Sequence, residues 1–445
     1  MRLFSPLQPG EPSSGAILGP AMRSLYTLLI YLATPLVLLY LLFRGVRSKD
    51  YLRRWPERFG RFDAPQQTGG IMVHAVSMGE VNAASMMVQE LSRRFPEDPL
   101  YLTALTPTGS ARIRELFGEA VFHVYAPLDL PGAVRRFLDR IRPRLLIIME
   151  TEIWPNLYHA AAARGIPIVI VNARISEHSI GGYRRLRRLT RSTLRKVSRI
   201  GAQSPLDRER LLEIGAQAPQ ISVTGNMKFD ARMPPSLTEQ GEALHMAWGA
   251  QRLVLAAGST HEGDERALLA AFTRLLPDFP DALLVIVPRH PERFARAAQL
   301  ARQAGLTVSL RSSGINCPAG TQCFVVDSMG ELLSFYAACD VAFVGGSLDP
   351  IGGHNVLEPA ALSRPVVVGP HTENFADITE QLLGCGAAVR VADTNELETG
   401  LRRLFSEPEQ RDRMGRAGFD LVRNGQGAVS RTLEIIEALL TPATG

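Results

Sequence analysis

At 445 residues the chain is too long for one ordinary core, and at ~100 to 200 residues per domain it is expected to form two domains with appendages. Hydrophobic residues make up 46% and charged residues 21%, with 38 glycines and 30 prolines dispersed along the chain, which excludes a disordered, collagen-like or coiled-coil protein. The formal charge of +5 is local, because residues 184–199 carry eight basic side chains and no acid; the remainder is net acidic and shows no nucleic-acid recognition module, so no nucleic-acid partner is expected. Residues 25–43, LYTLLIYLATPLVLLYLLF, follow as nineteen residues without a charge. At about 1.5 Å rise per residue they match the hydrocarbon thickness of a bilayer. A cleaved signal peptide would have a shorter apolar stretch and a small-residue cleavage site, so an uncleaved anchor is expected, while Pro35 keeps open a helix that lies in the interface. The flank 44–61 holds seven basic residues against two acids, which by the positive-inside rule places everything after residue 44 in the cytoplasm.

Beyond the anchor, short apolar runs alternate with helical stretches: GGIMVHAV, LYLTALT, RLLIIME, IPIVIVNA, RIGAQS and QISVTGN. These read as parallel strands buried on both faces. A polar, proline-bearing passage, DARMPPSLTEQGEAL, reads as a linker, and the alternation restarts with LVLAAGST, LLVIVPRH, TVSL, CFVVDS, VAFVGGS, PVVVGP and AAVRVAD. Two doubly wound α/β domains are expected, with ligands in a cleft at the carboxyl ends of their strands.

Several residues stand where chemistry is expected, each with a plainer alternative. Glu80 lies in the first helical turn after the strand IMVH, where it either complements the helix or takes a proton from an attacking hydroxyl. Glu150 and Glu152 straddle Thr151 at a strand end, one suited to backbone or arginine partners and the other to the cleft. Lys228 follows the last strand of the first domain as a surface lysine or an anion contact. In the second domain Gly258, Ser259 and Thr260 precede a helix start, and Arg289 sits between two prolines, ready for an ion pair or a phosphate. The loop VGGSLDPIGGHNVLEPA has glycines at 345, 346, 352 and 353 that permit close backbone approach, before a helix beginning near Asn355 whose free amides and dipole would face a phosphate; Glu358 is placed for ribose hydroxyls. No GxxxxGK[ST] occurs, GxGxxG is missing after the first strand, and HEGDE is not HExxH. Four cysteines form no CxxC pair, so neither a disulfide framework nor a metal site is expected. Residues 184–199 read as one basic amphipathic helix, with Arg184, Arg188, Arg191 and Arg195 on a stripe opposite Leu186, Leu189, Thr193 and Val197; it is either a solvated face or a dock for anionic lipid or a phosphorylated substrate.

The motifs HAVSMGE, ETEIWPN, NARIS, GNMKFD, GSTHEGDE, PRHPERF, DSMGEL and GGHNVLEPA, in this order, resemble those of the 3-deoxy-D-manno-octulosonic acid (Kdo) transferases of lipopolysaccharide synthesis, and the likeness runs from about residue 25 to about residue 430. The resemblance implies a GT-B fold, two Rossmann-like domains facing across a cleft, with an amino-terminal anchor helix. It also implies an inverting transfer of Kdo from CMP-Kdo to the lipid A precursor, at the cytoplasmic face of the bacterial inner membrane and without a cofactor. By this likeness Glu80 is the general base, Glu150 and Lys228 support the transition state, and Pro288, Arg289, Met329, Gly330, Glu331, Asn355, Val356, Leu357 and Glu358 hold CMP. The expected organisation is a tail over 1–24, the anchor over 25–43, an acceptor-binding domain over 44–228, a linker over 229–250, a CMP-sugar-binding domain over 251–430 and a carboxyl-terminal helix and tail over 431–445. The polar stretch 1–22 departs from the family pattern, as a start codon set upstream would produce. A nucleotide-sugar epimerase of the same fold is the alternative, but it would need neither the anchor nor the basic stripe.

Overall fold

In a strand covered on both faces, successive side chains feed two different cores, which is why the sequence shows continuous apolar runs where a half-exposed strand would alternate. Met72, Leu146, Ile148 and Ile170 pack on one side of the first sheet, and Ile71, Val73, Ile147 and Val169 on the other. The computed structural model describes residues 15–230, 233–234, 236–314, 317–318 and 320–441; the expected tail lies outside them as far as residue 14, as do the last four residues. The first sheet is built of β1 (Ile71–His74), β2 (Leu100–Ala104), β3 (Phe122–Tyr125), β4 (Leu145–Met149), β5 (Ile168–Ala173), β6 (Arg199–Ala202) and β7 (Ile221–Val223), in the order β3-β2-β1-β4-β5-β6-β7. The second has β8 (Val254–Thr260), β9 (Leu283–Pro288), β10 (Val308–Leu310), β11 (Cys323–Val325), β12 (Val341–Val344), β13 (Val366–Val368) and β14 (Ala388–Arg390), in the order β10-β11-β9-β8-β12-β13-β14. All pairings are parallel. Strand order reverses between β1 and β4 and between β8 and β12, and in open α/β sheets such reversals open the ligand crevice at the carboxyl ends. The sequence reading lacks β3, a short edge strand whose Phe-His-Val-Tyr run is only half buried.

The chain divides into two compact units, Met1–Ala231 with Gln426–Gly445, and Arg232–Gly425. This differs from the expected organisation in two places. The passage read as a linker holds the helix Leu237–Trp248, which packs on the helix Leu332–Ala338 of the second unit. Gly241 lets the two backbones approach, since a Cβ there would sit 2.5 Å from Ala337, and Trp248 stacks on Phe335 at 6.1 Å between ring centroids. Its apolar contacts are too sparse to show in the sequence. The second unit also ends sooner than residue 430: the helix Ala428–Leu440 covers one face of the first sheet, where Val429, Leu433 and Ile436 join the core of Met87 and Leu91. Asp230, buried, ties this return by accepting from the Gly427 amide at 2.6 Å and from the Val429 amide.

The basic segment is two helices, Glu177–Arg185 and Arg187–Leu194, broken at Leu186 (φ −101°, ψ 23°). A single stripe from Arg184 to Arg195 is therefore not formed. The break offsets the two halves, leaves Leu186 half exposed, and gives the buried face to Leu189, Thr190, Thr193, Leu194 and Val197. Arg184 is held by Glu213, its Nη2 donating to Oε2 at 2.9 Å, while Arg188, Arg191 and Arg195 are exposed. The amino-terminal helix Gly15–Arg47 is long and apolar enough over 21–46 to cross a membrane.

Loss of the Asp230 cap is expected to be local. Asp230→Ala should cost about 1 to 2 kcal/mol and speed hydrogen exchange over 428–440, with exchange in the second unit unchanged.

Candidate active site

β1 and β4 are neighbours at the reversal point of the first sheet, and their ends deliver the first cluster. Ser77 begins the helix Met78–Arg94 by accepting from the Glu80 amide at 3.3 Å. Glu80 reaches back, Oε2 accepting from the Val76 amide at 2.8 Å and Oε1 from the Ser77 hydroxyl at 3.2 Å. The Ser77 cap and these two bonds fix the carboxylate at the strand ends, so the helix-start reading of Glu80 is realised in its geometry. Burial pushes the Glu80 carboxyl up to about 8; the Val76 amide works against this, and the nearby Glu150 and Glu152 charges add to it.

Glu150 directly follows β4 with φ +53°, a left-handed conformation rare for a residue with a side chain and costing of order 1 to 3 kcal/mol. Among the described residues its carboxylate makes no hydrogen bond, whereas Glu152 accepts from the Trp154 indole at 2.9 Å. Glu152 is thus the partnered carboxylate and Glu150 the open one, and burial raises Glu152 as well. His74, at the end of β1, was not singled out by the sequence reading. It is buried, with Nδ1 at 2.8 Å from Thr103 Oγ1 and its ring edge-on to Trp154, and burial pulls its imidazole down to about 4, so it is neutral. Lys228 lies in the turn Met227–Asp230, which packs against the helix bearing Glu80. That turn is set by Asn172 (φ +54°), whose Oδ1 accepts from the Met227 amide at 3.0 Å. Among the described residues no group of His, Cys, Asp and Glu side chains is arranged to hold a metal ion.

The second unit carries its own cluster at the ends of β8, β9 and β12. Asp264, fully buried, gathers the amides of His261 (2.9 Å), Gly346 (2.7 Å) and Leu348 (3.0 Å), and so pins the glycine loop to the start of the helix Glu262–Leu275. Arg293, also within PRHPERF, is bound to Glu262 and the buried Glu265. Arg289 differs. Its backbone amide donates to Thr260 at 3.1 Å, but among the described residues its half-buried guanidinium has no ion pair, and it lies within electrostatic reach of His354 and Glu358. His354 Nε2 sits 3.1 Å from His261 Nε2 with the rings stacked, and burial, then His261, Arg289 and His290, pull His354 down to about 4.

The helix expected at Asn355 is Leu357–Ala361, only five residues, so its dipole is a small one. It is short because Pro365 and β13 follow within a few residues. Asn355 serves its start directly: Oδ1 accepts from the Leu357 amide at 3.1 Å, and Nδ2 donates to Glu358 Oε1 at 3.1 Å. Burial raises the Glu358 carboxyl, with Asn355 and Arg289 opposing. Val356, Leu357 and Pro288 are buried. After β11, Met329 is exposed, Gly330 has φ +87°, and Glu331 is held by Arg311 at 2.8 Å and by Ser328.

The family described as 3-deoxy-D-manno-octulosonic-acid transferase (kdotransferase) matches residues 53–231, and that described as glycosyl transferases group 1 matches 262–420. The 3-deoxy-D-manno-octulosonic acid transferase of Haemophilus influenzae is 38% identical over 423 residues, 94% of this chain and 99% of that one. The transferase of the same description from Bordetella pertussis is 38% identical over 428 residues, 93% of this chain and 99% of its own. Among solved structures, UDP-GlcNAc 2-epimerase from Neisseria meningitidis aligns with a TM-score of 0.55 over 83% of this chain and 99% of that chain at 15% identity, a likeness of fold alone. With relatives this similar along nearly their whole length, the chain belongs to the 3-deoxy-D-manno-octulosonic acid transferase family of glycosyltransferases.

Proposed function

We propose that this transferase moves Kdo from CMP-Kdo to the lipid A precursor with inversion at the anomeric carbon, Glu80 acting as general base. Kdo transfer in lipopolysaccharide biosynthesis is the activity of the family to which the chain belongs. The observation that carries the residue assignment is the Glu80 carboxyl, fixed by the Val76 amide and the Ser77 hydroxyl and lifted to about 8 by burial. An ordinary carboxylate is a weak base toward an alcohol; one whose charged form is disfavoured takes the proton more readily once ionised. The ionised Glu80 removes the acceptor hydroxyl's proton, the oxygen attacks the anomeric carbon, and CMP departs with the bonding electrons. Glu150 sustains the raised Glu80 value through its own charge, and Lys228 offsets charge in the transition state.

In the second unit Arg289 meets the phosphate of CMP beside the loop that Asp264 pins, and its fixed charge is why a monophosphate can leave without a metal. Glu358, oriented by Asn355, accepts from the ribose hydroxyls. Pro288 stiffens the approach to Arg289, Val356 and Leu357 contribute backbone, and Met329, Gly330 and Glu331 form the loop over the nucleoside. The enzyme works at the cytoplasmic face of the inner membrane, held by its amino-terminal helix, with Arg188, Arg191 and Arg195 facing anionic lipid or acceptor phosphates. Purified protein given CMP-Kdo and lipid A precursor should yield glycosylated lipid and one free CMP for each Kdo transferred; release of the sugar from the nucleotide without lipid product would count against the reading.

Glu80→Gln keeps the size of the side chain but cannot take a proton, and turnover should fall by ~10² to 10⁴ with CMP binding retained. In the wild type the base form of Glu80 is populated above its raised value. The rate at limiting substrate should therefore rise tenfold per pH unit below about 8 and level off above it. Glu150→Gln removes one repelling charge and should move this limb to lower pH.

Arg289→Ala, and Asn355→Ala combined with Glu358→Ala, should each weaken CMP at least tenfold by calorimetry and leave acceptor affinity unchanged.

Because Arg184 is engaged by Glu213, the charge test belongs to the other three arginines. Arg188, Arg191 and Arg195 changed together to Gln should raise the KM for the phosphorylated acceptor and leave that for CMP-Kdo alone. At about 0.5 M salt, where screening is much shorter than ~8 Å, the variant and the wild type should converge.

A further inference from the structure

We infer that the helix Gly15–Arg47 does not cross the bilayer but lies along the face of the first unit, with its uncovered stripe immersed in the interfacial layer of an anionic membrane. The inference rests on the membrane location proposed above and specifies how the protein is held there.

The covered positions follow one face of the helix from end to end. Tyr26, Ile30, Thr34 and Leu38 are half-buried, and Leu41 and Gly45 are buried, a spacing of three and four residues that marks one continuous stripe. The opposite stripe, Leu25, Leu29, Leu32, Leu36, Leu39 and Phe43, is exposed along its whole length. A helix standing across a bilayer, with its globular unit on one side, would have its middle turns surrounded evenly by lipid. Here the coverage does not stop at one end.

One end of the helix is latched to the body of the unit, and the other runs through a short turn straight into it. The Tyr26 hydroxyl donates to Asp129 Oδ2 at 2.9 Å, and the Thr27 hydroxyl to Asn156 Oδ1 at 3.1 Å. Asp129 is itself fixed inside the unit, since its carboxylate also accepts from the Asn156 amide at 2.9 Å and the Leu157 amide at 2.8 Å. The helix packs on Pro155–Ala162 and on Arg187–Leu194, while at its other end Gly45 is closed over by Leu52. From Tyr26 to Gly45 the helix rises about 29 Å at 1.5 Å per residue, roughly the hydrocarbon thickness of a bilayer. Were it to stand across the membrane with these contacts kept, Asp129 and Asn156 would lie on the far side from Leu52, and all three belong to one folded unit.

What the open stripe takes is set by its neighbours. It is apolar without interruption, and beside it the Arg187–Leu194 helix exposes Arg187, Arg188 and Arg191, with Arg44 exposed at the other end. An apolar ridge flanked by cations suits acyl chains beneath anionic headgroups, the arrangement of an interfacial helix.

The test uses the full chain in cells, in a background with its four cysteines replaced by serine, carrying a single cysteine at Ala21 or at Ser48. A membrane-impermeant maleimide is applied to intact spheroplasts and to inside-out vesicles. With an in-plane helix, both positions label at least tenfold faster in inside-out vesicles than in spheroplasts. If Ala21→Cys labels from the outer side while Ser48→Cys labels from the inner side, the helix spans and the inference falls, with transfer at the cytoplasmic face left standing. If both variants appear in the soluble fraction at low salt, the membrane location itself falls and the inference with it.

Discussion

Parallel strands buried on both faces finish at one edge, where the chain must turn back without leaving its backbone amides unpaired away from water. In this protein that demand is met by a few buried aspartates. Asp129 gathers the amides of Asn156 and Leu157, Asp207 that of Ile175, Asp230 those of Gly427 and Val429, and Asp264 those of His261, Gly346 and Leu348. Each carboxylate ties a loop at a strand end to an element distant in sequence, and a charged acceptor makes stronger bonds than a neutral one. The turns that carry Lys228 and Asn355 can be irregular because this frame is rigid.

Strain collects at the same edge. Glu150, Asn172 and Ser259, each at or just after a strand end, have φ between +53° and +54°. Asn172 uses that conformation to reach the Met227 amide, and Glu150 uses it to leave its carboxylate open beside Glu80. The cost is met by the sheets on which they sit, which place their side chains where a relaxed backbone would not.

Much of the fold was legible because burial on both faces leaves a strong mark: β1, β4, β5, β8 and β9 are almost unbroken apolar runs. β3 was not, since an edge strand can keep His123 and still pair. The helix Leu237–Trp248 was hidden by its polar composition, and the break at Leu186 by an arginine spacing that looked continuous. At the site, the place of Glu80 in the first helical turn after an apolar strand pointed to it, and the flanking prolines to Arg289. The contact of His261 with His354 joins residues 93 apart in sequence, and the reach of Asp264 to Gly346 joins residues 82 apart; no local pattern encodes either. The same holds for the latch of Tyr26 on Asp129, where the sequence showed only an apolar segment of suitable length.

The first unit is discontinuous, and this orders the birth of the molecule. During synthesis its sheet is complete once β7 has left the ribosome, yet the core that Met87 and Leu91 share with Val429, Leu433 and Ile436 stays unfinished until those residues appear. The intervening Arg232–Gly425 forms a unit of its own, and at ~5 to 20 residues per second its translation occupies roughly 10 to 40 s. For that interval the nascent chain carries an open apolar face on a half-built unit, the state most exposed to proteases and most in need of a chaperone. The carboxyl-terminal helix is then a completion signal: until its last turns emerge, the strand that leads into Glu80 rests on an unfinished core.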